Sequence, residues 1–280
     1  RRCGECDGFV STGGCSGTDN VVVTVASFLT PDAGPAQTIC SGDTATLIAS
    51  GGSVYQWSTG TSGAILIVAP TVNTTYSLTA TSGTCSGTDD VVITVAPAPL
   101  VAFNGDTLNG CEPLTTQFTD GSTPVITAWN WNFGDPLSGS NNTSALQNPI
   151  HVFSSAGIYT VSLSVISSNG CTGSMIQTNM VEVFANPNAT FTMNPITATT
   201  DNALVNFIDQ SSNVNIWSWN FGDSNSGINN TSGLQNPSHT YNSTGTFQIV
   251  LTVISQDGCI DSVTNQVFIS DIFTFYAPNA

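Results

Sequence analysis

The chain has 280 residues, enough for two to four domains of ordinary size. Lys and Arg number 2 against 18 Asp and Glu, a formal net charge of -16, and both cations stand at the start, as Arg1 and Arg2. Without clustered cations the chain has no means of releasing counterions from a polyanion, so nucleic acid and anionic membrane are poor partners, and mechanisms that need a lysine (Schiff bases, phosphate-gripping P-loops, Lys–Asn crosslinks) are closed.

In chain order, the first element is a strand signal in GGCSGTDNVVVTVA, residues 13–26, which recurs 70 positions later as GTCSGTDDVVITVA, residues 83–96, with 11 of 14 positions identical. Residues 1–28 therefore read as the C-terminal part of a repeat whose complete copy occupies 29–97. Within that copy, TATLIAS (44–50), AILIVAP (64–70), TYSLTAT (75–81) and DVVITVA (90–96) are short β-branched runs separated by Gly-rich turns, the pattern of strands. Pro and small residues at 97–100 and 185–188 open two further units, 98–185 and 186–271. Shifted by 88 positions, Trp129 to Cys171 aligns without a gap on Trp217 to Cys259, and 25 of 43 positions are identical. YTVSLSV (159–165) and FQIVLTV (247–253) are strands of these units, and residues 272–280 read as a linker.

No window shows a convincing helical period. The expected fold is all-β: tandem antiparallel β-sandwiches of roughly seven strands each, joined by short Pro-containing linkers into a stiff rod. Hydrophobic residues make up 40% of the chain, with 14 Phe and 5 Trp, enough to build cores although only 7% of residues are charged. No apolar run approaches the length of a membrane helix, so no membrane insertion is expected, and residues 1–20 lack the apolar core of a signal peptide. The chain reads as a mature segment of something longer.

Period-two alternation puts Trp129, Trp131 and Phe133 on one strand face, and Trp217, Trp219 and Phe221 on the equivalent one. Core packing is the default for both rows; the alternative is an exposed platform for stacking sugars. Trp57, in YQWSTG, is most simply a core residue.

Eight cysteines stand at 3, 6, 15, 40, 85, 111, 171 and 259, without paired zinc-type spacings. Their wide spacing favours disulfides and an oxidising compartment. Cys40 with Cys85 and Cys111 with Cys171 would each close a loop inside one domain. Cys259 matches Cys171, but Thr199 or Thr200 stands where the earlier unit has Cys111, so Cys259 has no mate in its own domain. It is either a buried thiol or bonded to another domain or chain. Cys15 is also unpaired unless Cys3, Cys6 or an upstream residue serves.

WNFGD at 131–135 and 219–223, NPxH at 148–151 and 236–239, and the alternating strands opening at Gly157 and Gly245 closely resemble the signature of PKD domains over residues 100–271. Residues 31–96 resemble the Ig-like repeats of very large Bacteroidetes surface proteins. The final IFTFYAPNA is similar to the lead-in of the C-terminal sorting domain of gliding-associated, type IX secreted adhesins. The resemblance implies an extracellular, cell-surface stalk or filament segment without enzyme activity. Its partners would be surface glycans, other surface proteins, or copies of itself in a fibre. The rival is a non-catalytic spacer or glycan-binding module of a secreted polysaccharide-degrading enzyme.

Asp135 and Asp223 follow Gly at a strand end, where a short carboxylate can fix the turn, and His151 and His239 are spaced to meet that turn. A structural hydrogen bond is expected rather than a catalytic Asp–His pair, since no recurrent Ser or Cys nucleophile accompanies them. The oxygen-rich loops 134–142 and 222–230 hold one carboxylate each, so Asp135 and Asp223 are also the first candidates for a weak calcium site. No other cofactor is expected. Thr44, Thr107 and Ser262 each sit in an acidic–hydroxyl–apolar triplet that matches Bacteroidetes protein O-glycosylation.

Overall fold

A computed structural model describes residues 28–271. By spatial contact these residues fall into two compact units: one holds the chain up to Val101 with Ser122–Ala128 and Val165–Gly173, and the other holds Ala102–Gly121, Trp129–Ser164 and the chain from Ser174 onward. Residues 1–27 of the Ig-like fragment proposed for 1–28, with Cys3, Cys6 and Cys15, and the linker 272–280 lie outside the described residues.

The secondary structure is strand, apart from two short 3-10 turns at Pro136–Asn142 and Ser224–Asn230. It is organised as three modules, each with a large and a small sheet. In the first, Gln37–Cys40, Cys85–Ala96, Thr74–Ser82 and Val54–Trp57 lie side by side in that order, and Ala45–Ile48 pairs with Ile65–Val68 in a second sheet. The alternation of small or apolar residues with polar ones puts every second side chain inside, as in Thr74–Ser82. Leu47 and Leu66 from the small sheet meet Trp57, Leu78, Val91 and Ile93 from the large one in a single core.

The second module repeats the scheme. Its five-stranded sheet runs Thr143–Ser144, Ile126–Asn132, Gly157–Ser167, Thr172–Phe184, Asn109–Cys111, and its small sheet Ile150–Phe153, Leu114–Asp120, Phe103–Gly105. The third module has the same order with equivalent strands, from Phe191–Asn194 to Ile260–Ser270. Its core gathers Phe191, Phe207, Trp219, Phe221, Tyr241, Ile249, Leu251 and Val267.

One departure from purely antiparallel pairing recurs in all three modules. A short strand near the start of each module runs parallel to that module's last strand, with registers Cys40↔Ala96, Cys111↔Phe184 and Thr199↔Ser270. Residues 40, 111 and 199 thus sit at the end of the module where its chain leaves.

Candidate functional site

The WNFGD signature builds the same turn twice. Trp131 and Asn132 pair with Ser144 and Thr143, and Gly134 then reverses the chain. Its φ is +69° and an added Cβ would lie 2.3 Å from the Thr160 carbonyl oxygen, so only glycine fits. The Asn132 side chain accepts from the Gly134 N–H at 2.8 Å, the Asn142 side chain accepts from the Asp135 N–H at 2.6 Å, and the Ser138 hydroxyl donates to the Asp135 carbonyl at 2.7 Å. These bonds leave the Asp135 carboxylate pointing inward, where Oδ2 lies 3.1 Å from His151 Nε2. The third module reproduces the contact between Asp223 and His239, also at 3.1 Å.

All four residues of these pairs are buried. The His151 ring stacks on Phe133 at 4.3 Å and meets Phe153 edge-on at 4.5 Å; His239 lies likewise between Phe221 and Tyr241, each 4.6 Å away. The pair is thus the polar link in an aromatic core that runs on through Trp131 or Trp219. Both tryptophans are fully buried, with indole Nε1 donating to the carbonyls of Leu146 and Leu234. Trp57 is buried too, its Nε1 on the Gly63 carbonyl. Trp129 and Trp217, placed by alternation on the same faces, are only half-buried and donate to Asp120 and Asp209.

Above each pair opens a polar groove, of about 350 Å³ in the second module and 620 Å³ in the third. Its walls are chiefly Ser, Thr and Asn of the 3-10 loop and the adjoining strands, with the histidine and a few apolar side chains such as Phe133 or Phe221, and no Asp, Glu, Lys or Arg. A smaller cavity of about 260 Å³ reaches Asp223 beside Asn225 and Asn242. Among the described residues no three His, Cys, Asp or Glu side chains come together as a metal centre would require. The two calcium candidates therefore each bring one carboxylate, already engaged by histidine. No Ser or Cys nucleophile is bonded to either histidine, and what the arrangement does chemically is to satisfy a buried donor and acceptor.

Electrostatic shifts accompany this packing. Burial, with the Asp223 carboxylate nearby, pushes the Tyr241 phenol far above its usual range; its hydroxyl donates to the Phe221 carbonyl at 3.0 Å. Burial, then Asp135 and Glu112, also raises Tyr159. For Asp209 burial acts upward, but hydrogen bonds from Ser211, Gln235 and Trp217 together outweigh it and hold the carboxyl below its ordinary value.

The cysteines correct the expected pairing. Cys40 is bonded to Cys171, and Cys111 to Cys259, with Cα atoms 5.5 and 5.6 Å apart. Neither Cys40–Cys85 nor Cys111–Cys171 forms, and Cys259 is not unpaired. Cys40 lies beside Ala96, whereas the buried Cys85 opens the strand that Ala96 closes, about 35 Å away at strand rise and far beyond the reach of a disulfide. Cys111 likewise pairs with Phe184, at the opposite end of the strand that Thr172 opens. Each bond instead joins a module's exit end to the turn before the last strand of the next module, a turn closed by Ser167 or Ser255. Thr44, Thr107 and Ser262 are all exposed.

The PKD domain family model matches residues 94–183 and 184–269, well over half of the chain. Among solved structures, the PKD1 domain of Vibrio anguillarum Epp is 28% identical, covers 31% of this chain and 96% of that one, and gives a TM-score of 0.26. The I67–I69 fragment of titin is 12% identical over 88% of this chain and 97% of its own, with a TM-score of 0.44. A solved chain from a structural study of a 1.5-MDa bacterial ice-binding adhesin is 15% identical, covers 88% of this chain and 99% of that solved chain, and gives a TM-score of 0.35. With both long repeats matched, over residues 94–183 and 184–269, this chain belongs to the PKD domain family.

Proposed function

We propose that the chain is an extracellular structural and adhesive segment, part of the stalk or filament of a secreted bacterial surface protein, and that it has no enzymatic role. The observation that carries this reading is the direction of the disulfides: both join successive modules instead of closing single ones, which adds a second covalent link between modules. The disulfides support an oxidising compartment, and no helix of the described residues is long and apolar enough to cross a membrane. The final IFTFYAPNA supports export by a type IX system, and the exposed Thr44, Thr107 and Ser262 support O-glycosylation there. The partners are surface glycans, surface proteins or further copies of the chain.

Adhesion is tested with beads coated with the oxidised protein and held under flow. They are expected to stay on a surface bearing glycans, surface proteins or a second coat of the same chain, while bare beads wash off. Coated beads that wash off all three surfaces would overturn the adhesive part of the proposal.

A further inference from the structure

The order of the four bonded cysteines along the chain is Cys40, Cys111, Cys171, Cys259, and the bonds are 40–171 and 111–259. The two closed loops therefore overlap, and each contains one end of the other bond. A backbone cut anywhere between Cys40 and Cys259 falls inside at least one loop, so its two sides remain joined through sulfur. The linkers 97–100 and 185–188 fall inside different loops, and cutting both still leaves three modules in one covalent piece. Had the bonds been 40–85 and 111–171, the same two cuts would release three fragments.

We infer that in the oxidised protein neither linker is the sole tether between its modules: covalent continuity, and with it tension, runs through the crossed disulfides. From Cys40 to Cys259 the shortest covalent route crosses to Cys171, returns to Cys111 and crosses again. It holds about 60 residues, or roughly 200 Å when taut, against roughly 750 Å for the backbone alone. The construction is repeated and therefore built in. Both donor cysteines end the strand parallel to their module's last strand, and both acceptors sit in a turn whose Ser167 or Ser255 hydroxyl accepts from the cysteine N–H, at 3.2 and 3.1 Å. Such a tether survives a proteolytic nick at either exposed linker, a property independent of what the surface binds.

The scarcity of cations supplies a clean test, because trypsin finds no site beyond residue 2. Leu100→Lys and Ala185→Lys, both at exposed positions, introduce one site in each linker of the full chain. The oxidised double variant is alkylated, unfolded in urea without reductant and digested with trypsin. A single full-size band is expected on a non-reducing gel. After a dithiol has supplied two electrons and two protons to each disulfide, three fragments should appear. Adding Cys111→Ser should release the fragment from 186 onward alone, without reductant. Separation of the fragments of the double variant before reduction would overturn the inference, whatever the beads do under flow.

Discussion

The indole Nε1 of Trp217 donates to the Asp209 carboxylate at 2.8 Å, and 88 positions earlier Trp129 donates to Asp120 at 2.7 Å. Because Asp209 is held below its ordinary pKa of 3.8, its ionised form stabilises the fold above that value, and the contribution is lost as pH falls through the lowered one. Asp209→Asn is expected to flatten the acid limb of a melting-temperature profile taken from pH 6 down to pH 2. An unchanged acid limb would mean that the hydrogen bonds from Ser211, Gln235 and Trp217 to this carboxylate carry no pH-dependent stability.

Removing one member of the buried Asp223–His239 pair leaves the other without its partner. Asp223→Asn and His239→Ala are each expected to cost about 1–3 kcal/mol in urea unfolding, with the double variant costing less than the sum. Strict additivity would show that the two side chains do not act together.

Much of this core was legible in the sequence. The shift of 88 placed two equivalent tryptophans and two Asp–His pairs, and the coordinates put Asp135 on His151 and Asp223 on His239. Alternation gives the face of a strand but not the depth along it, so it groups Trp129 and Trp217 with neighbours more deeply buried than they are. The disulfides were illegible for a related reason. A cysteine's spacing does not say at which end of a sheet it lies, and the parallel pairing Cys40↔Ala96 moves Cys40 to the far end from Cys85. The signal that is present is Cys259, which has no mate in its own repeat and leaves a buried thiol or a bond to another domain or chain as the alternatives; the structure selects the bond to Cys111.

Gly222 and Gly258 separate strain from clash. Both have positive φ, +73° and +86°, but a Cβ on Gly222 would stand 2.4 Å from the Gln248 carbonyl oxygen, and one on Gly258 meets nothing within 4 Å. Gly222→Ala should lose roughly 2–4 kcal/mol of stability and Gly258→Ala roughly 1–2 kcal/mol. Equal losses in chemical denaturation would remove the steric explanation for the glycine of WNFGD.

With its carboxylate turned toward histidine, Asp223 offers a hard cation a single charged ligand. Melting temperatures in millimolar calcium and in chelator are expected to agree within a degree. A rise of several degrees with calcium that disappears in Asp223→Asn would instead assign the cavity beside Asn225 and Asn242 to the ion.

In the third module Thr199 stands at the strand end that Cys40 and Cys111 occupy in the modules before it. A hydroxyl cannot be oxidised to a disulfide, and that of Thr199 donates to the Asp201 carboxylate of its own module instead. Among the described residues the relay of sulfur therefore ends in the third module, after two rivets.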